Sequence, residues 1–257
     1  MDIKPIGIEE LRKMDLSNSE ISLKIDGTLM FFQDNHLISP RGITRDDRYS
    51  HILKILKENN FPDCFGELYA EIEKDGKIEC NVFTISRSEN FSKAKFMPID
   101  MFDKTESYFK RQEILRNKIK EINSEFITPK ILFSDIDSAY KYVLENKSEG
   151  LVIVKNGKMY KWKLLQEAKV KIKSHEAGKE KGCFILDDKE NNRVSGTSME
   201  FIKVFEFLKN KGEDVYAEVE YQFKTDEGKM FQPRLRRIGT KQEILGEGSD
   251  FNEKRDN

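Results

Sequence analysis

The sequence predicts an α+β chain in two parts, a larger domain of antiparallel sheets with flanking helices and then a small β-barrel. Three observations predict it. Short apolar alternations fill the first third of the chain, amphipathic helical patterns interrupt them, and after Leu165 the texture changes to brief strands with one helix among them. The chain has 257 residues, 37% of them apolar, which is enough to bury a core without disulfides or a structural metal.

Taken in order, Ile21–Ile25 and Thr28–Phe32 read as strands flanking an Asp26-Gly27 turn, a favoured hairpin dipeptide. Asp47 to Asn59 places Ile52, Leu53, Ile55 and Leu56 at helical spacing. Phe65–Ile72 and Ile78–Ile85 alternate as strands, and Glu106 to Ile122 carries an apolar helical stripe. Ser134, with Asp137 three residues on, predicts the cap of a helix running through Leu144. Gly150–Lys155, Asn156-Gly157 and Lys158–Leu164 then read as strand, tight turn and strand. Beyond residue 165, strands are expected at Ala168–Ile172, Cys183–Leu186, Val215–Gln222 and Leu235–Ile238, with a helix from Ser198 to Asn210. About five short strands and one helix fit a barrel of the oligonucleotide-binding type. The expected domains are 1–165 and 166–245, with 246–257 as a polar tail.

Composition excludes several classes. Eighteen phenylalanines and a net charge of −1 argue against disorder, and fifteen glycines with six prolines show no collagen-like period. No run approaches the ~18 apolar residues of a membrane span, and the N-terminus lacks the basic-then-apolar pattern of a secretory signal. Cys64, Cys80 and Cys183 never form a Cys-x-x-Cys pair, which speaks against zinc ribbons and fits a reducing cytoplasm. Charge is balanced overall but clustered. Lys155 to Lys181 holds nine lysines and three acids, and Lys229 to Lys241 holds five basic residues and no acid. Such clusters make a phosphate-facing stripe or a solvated lysine face.

The chemistry gathers around Lys24-Ile-Asp26-Gly27. Alternation puts Lys24 and Asp26 on one face of a strand, and a lysine beside other cations becomes a competent nucleophile. Arg41 sits in a Ser-Pro-Arg-Gly turn where it can face a phosphate or a ribose, and Glu67 lies on a strand. Asp100 ends another strand and reads better as a scaffold contact than as a catalyst. Glu149 opens Glu-Gly-Leu-Val-Ile-Val-Lys155, and Lys161 and Lys163 alternate with Trp162 so that both face one way. Three carboxylates and four cations in one cleft suit a nucleoside triphosphate with a divalent metal. His36, His51 and His175 show no ligand spacing.

In this order the motifs resemble those of the covalent nucleotidyltransferases, which comprise ATP-dependent DNA ligases, RNA ligases and messenger-RNA capping enzymes. The resemblance rests on Lys24–Gly27, Ser39–Gly42, Phe65–Tyr69, Met97–Asp100, Glu149–Lys155 and Lys161–Lys163, and spans about residues 20 to 241. The segments Gly178–Gly182, Val194–Thr197, Val215–Tyr221 and Phe231–Ile238 resemble the C-terminal barrel of the DNA ligases. The chain departs from the family pattern at Leu29, where an arginine is frequent, and at Ile99, where an aromatic stacks on adenine. Phe96 and Phe102 stand nearby as substitutes, and the last motif, Arg237 to Lys241, lacks its acid.

The resemblance implies a minimal ATP-dependent DNA ligase of the viral or bacterial type, working as a monomer in the cytoplasm, the host's if viral. It makes residues 1–165 a nucleotidyltransferase (adenylation) domain. Lys24 would carry AMP covalently. Asp26, Arg41, Glu67, Glu149, Lys161 and Lys163 would bind the nucleotide, with Glu67 and Glu149 also holding Mg²⁺. Lys171, Lys173, Lys179, Lys181, Arg234, Arg236 and Arg237 would face nicked duplex DNA. An RNA ligase is the alternative, a GTP-using capping enzyme comes third, and a catalytically dead binding protein is the reading from another class.

Overall fold

The computed structural model describes residues 3–74, 77–81, 91–176, 178, 181–225 and 227–246. Lys179, the end of the expected 78–85 strand and the expected tail beyond 246 lie outside these residues. The chain divides into two compact units, Met1–Leu164 and Leu165–Asn257.

The first unit holds two sheets. One has strand order β1-β10-β9-β2-β8, built from β1 (Ile3–Pro5), β2 (Ser19–Lys24), β8 (Leu132–Phe133), β9 (Gly150–Lys155) and β10 (Lys158–Lys163). The other runs β4-β3-β5-β6 from β3 (Thr28–Gln33), β4 (His36–Ile38), β5 (Cys64–Lys74) and β6 (Lys77–Asn81), with β7 (Lys95–Met101) also paired to β5. Helices α1 (Ile8–Lys13), α2 (Ser50–Glu58), α3 (Tyr108–Ile122) and α4 (Ile136–Glu145) complete the unit. Their apolar faces join the strands in one core that includes Phe32, Leu56, Leu68, Phe96, Leu115, Val143 and Ile153.

Local chemistry sets several boundaries. Asn156 and Gly157 both adopt positive φ, 49° and 72°, and close β9 onto β10 as a two-residue hairpin with Lys155 opposite Lys158. Asp26-Gly27 does not close a hairpin. β2 pairs with β9 and β8, while β3 pairs with β4 and β5, so this dipeptide is the crossing point between the two sheets. The helix expected from Ser134 is capped one residue later, by Asp135, whose carboxylate accepts from the Ser138 N–H. A carboxylate at the N-cap satisfies an otherwise unpaired helix amide.

The second unit is a five-stranded antiparallel sheet of order β13-β12-β11-β14-β15. It comprises β11 (Gln166–Glu176), β12 (Lys181–Leu186), β13 (Arg193–Ser198), β14 (Val215–Tyr221) and β15 (Arg234–Thr240). Helix α5 (Met199–Asn210) follows β13, and α6 (Lys241–Leu245) begins with a capping box between Thr240 and Glu243. Phe184, Val194, Ile202, Phe205, Val215 and Val219 form its separate core. The outermost strands, β13 and β15, approach within 8 Å at their Cα atoms. β13 escapes the sequence pattern because Arg193-Val-Ser-Gly-Thr-Ser198 has one large apolar residue and a glycine at φ +75°.

Candidate active site

The register of the first sheet builds the site. Gly150, on β9, is the Cα partner of Lys24 on β2 and of Lys163 on β10, so two lysines flank a residue without a side chain. Its φ is +152°, and an added Cβ would lie 2.0 Å from the Trp162 carbonyl oxygen, so only glycine permits this crossing. Glu149, immediately before it, receives both ammonium groups: Lys24 Nζ lies 2.5 Å from Oε2, and Lys163 Nζ pairs with Oε1. Glu149 is buried, and these two cations offset the cost of holding its charge there.

The crossing at Asp26-Gly27 brings the second sheet against this row. Leu29 is opposite Glu67, and a Cβ on Gly27 would sit 2.5 Å from Glu67 Cγ and 2.7 Å from the Leu68 carbonyl oxygen. Burial pushes the Glu67 carboxyl up to about 7; Glu149 and Asp26 push the same way, while Lys24 and the Gly27 N–H oppose. Burial likewise raises Asp26 to about 6, with Glu149 adding to the effect. Three acids thus crowd around one lysine, and two of them ionise reluctantly.

A cavity of about 700 Å³ opens between the sheets. Lys24, Lys161, Lys163 and Glu67 line one part of it, and Leu29, Ile99, Phe102, Val152 and Val154 give it apolar walls. Successive rows cross the floor: Lys24–Gly150–Lys163, then Ser22–Val152–Lys161, then Glu20–Val154–Met159–Ile3. The first row presents charge to the cavity, and the last lines it with Val154, Met159 and Ile3. Ile99 and Phe102 face the cavity, whereas Phe96 is fully buried in the core.

The structure therefore brings together Lys24, Asp26, Glu67, Glu149, Lys161 and Lys163. Arg41 occupies an exposed turn closed by Ser39 and Ile43 and does not line the cavity. Asp100 is buried and gripped by Arg111, whose Nε and Nη2 each donate at 2.8 Å, and by Lys104 at 2.5 Å; it ties β7 to α3. These cations hold its carboxyl below its ordinary value despite burial. A second polar cluster carries no mark in the sequence: Tyr108 and Lys130 line the cavity and hold buried Glu20. Alternation along β2 places Glu20 on the Lys24 face, but nothing local points to Tyr108 or Lys130.

In the second unit, Lys171 pairs with Asp214 at 2.8 Å, Arg236 with Glu220 at 2.7 Å and Arg237 with Glu218 at 3.3 Å. Lys173 donates to the Asn191 side chain. Lys181 and Arg234 make no ion pair among the described residues. No three His, Cys, Asp or Glu side chains form a metal cage among the described residues. No helix there is long and apolar enough to cross a membrane.

No family model matches the sequence, and no curated protein does. Solved structures match it in fold. A Lig E DNA ligase is similar over 93% of this chain and 98% of its own, with a TM-score of 0.63 and 16% identity. The ligase domain of LigD from M. tuberculosis covers 91% and 94%, at 0.53 and 15%. A mycobacterial DNA ligase D complexed with ATP and MES covers 89% and 92%, at 0.50 and 18%. These likenesses establish a shared mixed α/β fold.

Proposed function

We propose that the protein is an ATP-dependent DNA ligase that seals nicks between a 5′-phosphate and a 3′-hydroxyl. The observation that carries the reading is the row in which Lys24 and Lys163 flank Gly150 and share Glu149, inside a cavity also lined by Lys161 and Glu67. A lysine at the edge of an apolar cleft, among cations that suit a polyphosphate, is placed for attack on an α-phosphate. The shared fold supports the same reading, since its solved neighbours are DNA ligases and one is complexed with ATP.

In this reading the Lys24 amine attacks the α-phosphate and pyrophosphate leaves, giving a lysyl-AMP phosphoramide. The proton on Lys24 Nζ has Glu149 Oε2 at 2.5 Å as its acceptor. Lys161 and Lys163 hold phosphate oxygens. AMP then passes to the 5′-phosphate of the nick, and the 3′-hydroxyl displaces it. Mg²⁺ fits the acids present. It commonly binds through one or two carboxylates with phosphate oxygens and water, and Glu67 and Asp26 crowd one another with raised pKa values that a cation would relieve. Glu67 and Glu149 would hold it, with Glu149 also claimed by two lysines; bound there, it would offset charge developing on the displaced phosphoryl group.

We read the first unit as the adenylation domain and the second as an oligonucleotide-binding barrel that engages DNA, with 246–257 as a tail. The first strand of the second unit pairs with both the second and the fourth, its helix joins the third to the fourth, and the third approaches the fifth, as barrel closure requires. Arg41, on its exposed turn, would meet a phosphate of the nick. The protein would act as a cytoplasmic monomer. Leu29 favours a second reading, an RNA ligase, because it leaves the cavity without the arginine frequent in DNA ligases. Sealing of matched nicked duplexes decides between them. Closure of the DNA nick at least as fast as the RNA nick is expected, and faster RNA joining would give the second reading.

A further inference from the structure

Tyr108, Lys130 and Glu20 form a buried network that the proposed chemistry does not use. Tyr108, the first residue of α3, donates its hydroxyl proton to Glu20 Oε1 at 2.6 Å and accepts from Lys130 Nζ at 2.9 Å. Lys130 also pairs with Glu20, and Arg116 reaches the other Glu20 oxygen at 3.6 Å. Glu20 and the Lys130 side chain are both less than 10% exposed, yet Lys130 and Tyr108 line the cavity. Glu20 is four residues from Lys24 on the same face of β2, so their Cα atoms lie about 13 Å apart along the strand. The Ser22–Val152–Lys161 row lies between them. The cavity therefore offers cations and acids at one end, apolar walls at Val152, Ile99 and Phe102, and a fixed polar cluster beyond. A purine nucleotide has the matching sequence of parts, which are phosphate, flat apolar faces and a hydrogen-bonding edge.

We propose that Tyr108 and Lys130, oriented by Glu20, receive the pairing edge of the nucleobase and select adenine over guanine. This rests on reading the cavity as a nucleotide site. The Glu20 carboxylate accepts the Tyr108 O–H, so the phenol oxygen can offer a further ligand only an acceptor, while the Lys130 ammonium, held charged by its pair with Glu20, is a donor. Burial, then the Glu20 charge, raises the Tyr108 pKa and keeps that proton in place. The 6-amino group of adenine donates to Tyr108 Oη, and a ring nitrogen accepts from Lys130. In the same pose guanine sets its O6 against the Tyr108 oxygen and its N1–H against Lys130, leaving buried polar groups unpaired.

The test is equilibrium binding of ATP, GTP and purine riboside triphosphate, which lacks the 6-amino group, to the full chain and to Tyr108→Phe and Lys130→Met. Covalent labelling from α-labelled ATP is followed in parallel. The wild type is expected to bind ATP about 10-fold tighter than the 6-H analogue, and Tyr108→Phe to bind the two alike. Both variants should lose at least 10-fold of the preference for ATP over GTP, a ratio that a general loss of fold leaves unmoved. Tyr108→Phe keeps the Lys130–Glu20 pair, so it remains informative if Lys130→Met does not fold. An unchanged nucleotide preference in Tyr108→Phe overturns the proposal. Nucleotide binding without labelling overturns the ligase reading alone, and the binding ratios still decide the base assignment. No binding of any nucleotide overturns both.

Discussion

Glu67 shows how burial at this site makes the ionisation of a single residue costly. Its pKa of about 7 in the fold exceeds its ordinary 4.5, so the folded protein holds that proton more tightly than the unfolded chain does. Its contribution to stability is thus fully present at low pH and is lost as pH rises through about 7, when a buried carboxylate must ionise. Glu67→Gln is expected to be more stable than wild type by about 3 kcal/mol near pH 8 and indistinguishable from it near pH 4, measured by urea unfolding. The same variant should lose about 100-fold or more of covalent labelling. Gly27→Ala should displace Glu67, because the new Cβ meets both Glu67 Cγ and the Leu68 carbonyl oxygen. At this scale the sequence was informative where one residue carries its own chemistry within a strand, as with Lys24, Glu67, Glu149 and the Lys161/Lys163 pair. It was silent on Tyr108 and Lys130, which reach Glu20 across 88 and 110 residues.

Elements position these residues through register, and register depends on partners that a local pattern does not name. Asn156-Gly157 and Asp26-Gly27 are similar turn dipeptides, yet the first joins paired strands and the second crosses between sheets. The two also differ in backbone, since Asn156 and Gly157 take the positive φ of a tight hairpin turn and Asp26 and Gly27 do not. β7 is fixed to α3 by the Asp100–Arg111 fork, both side chains being less than 10% exposed. Asp100→Asn leaves the buried guanidinium half paired and should cost about 3 kcal/mol in denaturant unfolding. Since the folded-state pKa of Asp100 is depressed, the stability it supplies is present above its ordinary 3.8 and is lost as pH falls through the lower folded value. Gly150→Ala, which drives a Cβ into the Trp162 carbonyl, should cost about 3 kcal/mol or more and separate Lys24 from Glu149.

Across the whole molecule, charge balance conceals where each charge is spent. The net charge of −1 comes from 45 basic and 46 acidic residues, and on the second unit many of them neutralise one another. Arg236 and Arg237 face Glu220 and Glu218, and Lys171 faces Asp214, whereas Lys181 and Arg234 have no ion-pair partner among the described residues. If the second unit engages DNA, replacing Lys181 or Arg234 should each reduce the salt slope of binding by about 1, with smaller effects at the paired positions. The charge clusters were legible in the sequence, but their pairing arises from cross-strand neighbours and was not. The proposed chemistry depends on Lys24 as a nucleophile, and the direct test is incubation with Mg²⁺ and α-labelled ATP followed by denaturation. The expected result is label retained on wild type from ATP, and none on a folded Lys24→Ala variant. Equal labelling of the two proteins, or none on wild-type protein freed of bound AMP, would contradict it.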